Sequence, residues 1–138
     1  MKMNSFEKKQ FDREKVKKRG FKRFLNSFKY SFQGFIYAYK YEQSILIHLI
    51  CSIFSILLGL ILNISLLEWV VVLSVLGLLL VVEFINTSIE AAVDMVTLKY
   101  NPLAKIAKDS GSAAEFMMMM IAIMIGLYIF LPKIIVIL

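Results

Sequence analysis

Three carboxylates, an asparagine and a threonine close a long apolar run: Val81-Val82-Glu83-Phe84-Ile85-Asn86-Thr87-Ser88-Ile89-Glu90-Ala91-Ala92-Val93-Asp94. On a helix turning about 100° per residue, Glu90 lies about 20° to one side of Glu83 and Asp94 about 20° to the other, with Thr87 about 40° and Asn86 about 60° away. All five share one stripe. Phe84, Ile85, Ile89, Ala92 and Val93 take the other side. Ionisable groups on a helix still inside a membrane are costly and face a bundle interior or a cavity. Three of them in line suit a site that holds a metal ion and handles protons.

The elements that must position this stripe follow from composition. Of 138 residues, 59% are hydrophobic and 19% charged, and the mean hydropathy is +0.75. That excludes an ordinary soluble domain. The expected class is an all-α integral membrane protein of one small domain. A net charge of +6 would suggest nucleic acid in a soluble chain, but here its placement counts, and no nucleic-acid partner is expected. Cys51 is the single cysteine, so neither an intrachain disulfide nor a thiolate cluster can form. Basic residues at the N-terminus are not followed by a short apolar core and cleavage site, so a secretory signal is not expected.

Residues 1–43 hold twelve of the sixteen Lys and Arg, against four acids. Residues 1–20 read as a flexible basic tail attracted to an anionic membrane surface, and 21–138 as the membrane domain. Phe21, Phe24, Leu25, Phe28, Phe32, Phe35, Ile36 and Tyr39 recur every three or four residues, with Lys22, Arg23, Asn26, Lys29, Gln33 and Lys40 between them. This predicts an amphipathic surface helix over about 21–41, in which Gly34 allows a bend or close packing. Three apolar spans follow, at about 45–62, 69–94 and 112–131, each long enough for one crossing. Trp69 suits an interfacial anchor. Residues 63–65 form a tight connection. Residues 97–111 read as a polar loop in which Pro102 breaks the helix, and Pro132-Lys133 interrupts the C-terminal tail. The connection at 63–68 has no Lys or Arg, whereas the N-terminal segment and the loop with Lys99, Lys105 and Lys108 are basic. Positive-inside therefore puts the N-terminus and the carboxylate stripe on the cytoplasmic side of the cell membrane and the C-terminus outside.

The segment Glu83-Phe-Ile-Asn86-Thr-Ser-Ile-Glu90-Ala-Ala-Val-Asp94, followed by Ala107-Lys108-Asp109-Ser-Gly111-Ser112, resembles the small prokaryotic diacylglycerol kinase family. That family includes the undecaprenol kinases of Gram-positive bacteria. The resemblance covers about residues 21–131. It implies a homotrimer of three-span subunits, each with a surface helix, that phosphorylates a membrane lipid alcohol with ATP as phosphoryl donor and Mg²⁺ as cofactor. It makes Glu83 the general base that also contacts the lipid hydroxyl, Glu42 and Glu90 the metal ligands, and Ser112 a lipid contact. Arg23, Tyr30, Glu42, Glu90, Lys99, Tyr100, Asn101, Lys108 and Asp109 match nucleotide-binding positions, and Asn86 and Asp94 orient the site. No Walker-type phosphate loop occurs, so metal and side chains must hold the phosphates. The chain departs from some members at Ser31-Phe32-Gln33-Gly34, at Lys99 and at Asn101. The loop Asn101-Pro-Leu-Ala-Lys-Ile-Ala-Lys-Asp and Ser27-Phe-Lys-Tyr look closer to the Gram-positive branch, which implies undecaprenol as acceptor, with diacylglycerol the alternative.

His48 is expected to be a packed, bundle-facing histidine, and Met117–Met120 flexible packing rather than a metal site. Glu68 and Glu115 read as interface charges. A reading from a different class is a small proton-coupled transporter using Glu83 or Glu90. It predicts proton flux without ADP release.

Overall fold

The computed structural model describes residues 20–137, which form four helices and no strand. The basic-tail reading falls on residues 1–19, outside the described residues. The helices are α1 (Phe21–Tyr41), α2 (Gln43–Ile61), α3 (Leu66–Val96) and α4 (Pro102–Ile137). The chain divides after Tyr37 into two compact units.

In the first unit α1 runs unbroken through Gly34, where nothing stands within 4 Å of a Cβ position. Neither the bend nor the close packing allowed at Gly34 is found among the described residues. The aromatic residues lie outward. Phe24 stacks on Phe21 and meets Phe28 edge-on with ring centroids 5.1 Å apart, which gives the apolar face a continuous surface.

In the second unit α2, α3 and α4 are each long and apolar enough to cross a membrane, at 19, 31 and 36 residues. The α3–α4 pairing is the most extensive. The turn joining α2 to α3 is built by residues that satisfy otherwise orphaned backbone groups. Asn63 takes φ 47°, a left-handed conformation that asparagine tolerates. The Ile64 N–H returns to the Gly59 carbonyl at 3.2 Å. Ser65 and Glu68 then form a reciprocal capping box that starts α3. Trp69, near the start of α3, is half-buried over Gly59, where a Cβ would come within 2.9 Å of its ring. Ile64, Val72, Ile129 and Phe130 pack into the core at this end.

Pro102 begins α4 rather than lying in a longer loop, because a first helical position needs no N–H. The Asn101 Oδ1 accepts from the N–H groups of Leu103 and Ala104 at 2.9 and 3.3 Å. The polar connection is therefore only 97–101, and residues 102–111 are helical. The interruption expected at Pro132-Lys133 is also absent, as α4 continues to Ile137. There Ile129 and Phe130 are buried, Ile134 packs against the same core, and Lys133 pairs with Glu68 at 3.2 Å. Tertiary packing outweighs the one backbone bond that a proline removes.

Candidate active site

The carboxylate stripe runs from the bundle interior to its polar end. Glu83 is 1% exposed and Asn86 is buried, Thr87 and Glu90 are half-buried, and Asp94 is exposed. The shared face expected from spacing is present, with burial falling along it.

At the buried end, α2 and α4 bring two further ionisable groups to Glu83. His48 Nε2 stands 3.9 Å from Glu83 Oε2 and 3.4 Å from Glu115 Oε1. Asn86 donates through Nδ2 to Glu115 Oε2 at 3.2 Å. Ser44 and Glu42 from the start of α2 lie near the Glu83 carboxyl. Glu83 Oε2 and Asn86 Oδ1 have no hydrogen-bond partner among the described residues. A buried carboxylate oxygen left bare costs stability.

Asn86 is held in place by Gly111. A Cβ built at Gly111 would collide with Asn86 Oδ1, and Ile89 closes the same notch at 3.7 Å. Only a glycine on α4 lets the two helices meet here with the amide side chain between them.

The ligand atoms of His48, Glu83 and Glu115 lie within 4.8 Å of one another. This set is a poor match for Mg²⁺, which favours oxygen ligands and keeps several waters, and a histidine nitrogen supplies one corner. Glu42 and Glu90 are half-buried carboxylates, and their donor chemistry fits that ion.

At the polar end Lys108 on α4 pairs with Asp94 on α3 at 2.6 Å, and Lys105 pairs with Asp109 one turn along. Asp94, Lys99, Tyr100, Asn101, Lys108 and Asp109 line one shallow depression of about 360 Å³. Five positions matched to nucleotide binding are thus brought together with one matched to orientation. The Asn101 carbonyl oxygen is committed to capping α4, leaving its amide nitrogen for other contacts. Ser112 is exposed on α4, and Arg23 and Tyr30 are exposed on α1. A second cavity, apolar and about 460 Å³, opens between α2, α3 and α4, with His48, Cys51 and Leu79 in its wall.

His48, buried as its place on an apolar span suggests, and Glu115, read from sequence as an interface charge, are the two ionisable groups that the structure adds beside Glu83. A lone histidine in an apolar span was itself a signal. Its partner is 67 positions away, and no spacing rule joins the two.

The described residues thus combine three helices long and apolar enough to cross a membrane, a buried carboxylate and a charged depression. A model of the prokaryotic diacylglycerol kinase family matches residues 29–130. The undecaprenol kinase of Bacillus subtilis is 33% identical over 111 residues, covering 80% of this chain and 90% of its own length. A diacylglycerol kinase of Pseudomonas aeruginosa is 37% identical over 97 residues, covering 70% and 79%. One from Helicobacter pylori is 38% identical over 99 residues, covering 72% and 77%. The chain belongs to the prokaryotic diacylglycerol kinase family. It is a membrane lipid kinase, with ATP as phosphoryl donor.

A consequence can be measured at Gly111. Gly111→Ala displaces Asn86 and breaks its bond to Glu115, while α3 and α4 keep their apolar contacts. We expect lipid-dependent ADP release to fall at least about tenfold, since misplacing a site by about 1 Å can cost about a hundredfold. Circular dichroism should show unchanged helix content. Full activity in Gly111→Ala would show that the amide's position is unimportant.

Proposed function

We propose that the chain transfers the γ-phosphoryl group of ATP to the primary hydroxyl of undecaprenol at the cytoplasmic face of the cell membrane, forming undecaprenyl phosphate. The observation that carries this reading is the buried Glu83, with one bare oxygen, set between an apolar cavity and a charged depression. Glu83 accepts the hydroxyl proton as that oxygen attacks phosphorus in line. Lys108, Lys99 and Tyr100 hold the nucleotide at the depression, joined by Asn101 and Asp109, with Arg23 and Tyr30 contributing from α1. Glu42 and Glu90 would hold Mg²⁺, which supplies charge neutralisation on the phosphates when bound. Asn86 and Asp94 orient the two ends of the site. Ser112 contacts the lipid headgroup. Positioning and electrostatics supply most of the acceleration in such a transfer.

The assembly proposed is a homotrimer of three-span subunits. The membrane domain comprises residues 21–138, with a surface helix over about 21–41 and spans over about 45–62, 69–94 and 112–131. The basic charge of residues 1–20 favours an anionic lipid surface as a partner. The N-terminus is cytoplasmic and the C-terminus outside, as the distribution of Lys and Arg favours.

The choice of acceptor draws on the share of the Bacillus undecaprenol kinase that aligns, 90% of its length, and on the sequence of the Asn101–Asp109 segment. Diacylglycerol is the second reading, favoured by the identity to the Pseudomonas and Helicobacter enzymes. With ATP and each lipid alcohol supplied in parallel in mixed micelles, turnover should be greater with undecaprenol. Equal or faster turnover of diacylglycerol would reverse the assignment.

A further inference from the structure

Glu83 is sealed, so a proton taken from the acceptor hydroxyl cannot pass directly to water. Side-chain exposure rises from 2% at Glu83 to 9% at His48 and 23% at Glu115. The same order is a sequence of short steps, 3.9 Å from Glu83 Oε2 to His48 Nε2 and 3.4 Å from there to Glu115 Oε1. We infer that His48 and Glu115 form the exit route for the proton that Glu83 removes from the lipid alcohol, returning Glu83 to its basic form after each turnover.

The reading rests on Glu83 as general base. As the acceptor O–H breaks and its oxygen bonds to phosphorus, the proton goes to Glu83 Oε2. The Nε2 proton of His48 passes to Glu115 Oε1 and leaves from that partly exposed carboxyl to water, and the freed Nε2 takes the proton from Glu83 Oε2 in its place. No oxidant or co-reactant is needed, and every group ends as it began. His48 starts with its ring proton on Nε2, donated to the ionised Glu115 Oε1. The groups facing this path are Glu42 and Ser44 from α2, Asn86 from α3 and Glu115 from α4. Asn86 fixes the last acceptor by donating to Glu115 Oε2, leaving Oε1 turned to the imidazole. His48 and Glu115 act through Glu83 and are positioning residues.

Glu115→Gln tests this, because the amide oxygen can still accept from Asn86 while the side chain can no longer take a proton. Initial rates of ADP release would be followed against pH in H₂O and D₂O, using the full chain in mixed micelles with undecaprenol and Mg-ATP. We expect kcat to fall about tenfold or more, within the range that proton transfer contributes. KM for both substrates should be unchanged and the solvent isotope effect larger, because proton removal becomes limiting. Glu115→Asp should restore much of kcat, and His48→Gln should reproduce the Glu115→Gln behaviour. Should Glu115→Gln fold poorly, His48→Gln carries the same expectation alone. Unchanged kcat and isotope effect across the pH range, or a change confined to KM, overturns the route. Glu83→Gln run beside them separates the two ideas. An inactive Glu83→Gln with normal Glu115→Gln and His48→Gln removes the exit route and leaves the base. An active Glu83→Gln removes the base itself.

Discussion

Glu83→Gln should lower kcat by about two to four orders of magnitude, the range a positioned acid–base group supplies, while the protein keeps its thermal stability or gains some. The amide has nearly the same volume as the carboxyl it replaces. The native side chain is 1% exposed with Oε2 unpartnered among the described residues, so the substitution removes a desolvated acidic group and keeps an oxygen that can accept from Ser44. Loss of activity without loss of stability separates a group kept for chemistry from one kept for packing. The measurement is lipid-dependent ADP release beside thermal unfolding followed by circular dichroism in the same detergent. More than about a tenth of normal activity, where a true base should leave about a hundredth or less, would be incompatible with the assigned role.

Lys108→Met should be nearly as damaging through a different term. The side chain is 36% exposed and its Nζ lies 2.6 Å from Asp94 Oδ1, at the rim of the depression lined by Lys99, Tyr100 and Asp109. A cation there can meet phosphate charge as it redistributes during transfer, and removing one such electrostatic contact costs about 10²–10³ in rate. The methionine also leaves Asp94 facing the nucleotide as an uncompensated negative charge. We expect kcat/KM for ATP to fall about a hundredfold, with Lys108→Arg retaining an intermediate value because charge survives and geometry does not. If Lys108→Met changed only the lipid KM, the residue would belong to the acceptor side instead. Stability should change little, since an exposed pair contributes about 0–1 kcal/mol.

The stripe from Glu83 to Asp94 was legible because helical periodicity alone puts its members on one face, and their burial falls along the helix as that face leaves the bundle. The limits of α1 were legible for the same reason. The start of α4 was misread because Pro102 was taken as a breaker of the preceding helix. It stands at the first position of a new helix, capped by the Asn101 side chain. The continuity of α4 through Pro132 was not legible either, since the local cost of a proline carries no information about the core around Ile129 and Phe130. Glu68 had a readable signal in Ser65-x-x-Glu68, which is a capping box. Glu115 had none. Its neighbours His48 and Asn86 come from two other helices, and only the packing distance allowed by Gly111 brings those surfaces together.

The two inter-helix ion pairs that tie α3 to α4, Glu68–Lys133 and Asp94–Lys108, also fix a depth scale. Along α3 the two acids are separated by about 39 Å at 1.5 Å per residue, more than the roughly 30 Å of a hydrocarbon layer. Counted along α3 from Glu68, Glu83 lies about 22 Å away and Glu90 about 33 Å away, so a hydrocarbon layer of roughly 30 Å starting at Glu68 would contain Glu83 and end near Glu90. The two helices cannot slide past one another to suit a thicker or thinner bilayer without breaking a clasp at one end, so mismatch must be taken up by tilt or by the lipid itself. With Glu83 as the proposed base, bilayer thickness would set how far an alcohol headgroup must sink to react, and the lipid surroundings would become a control on turnover.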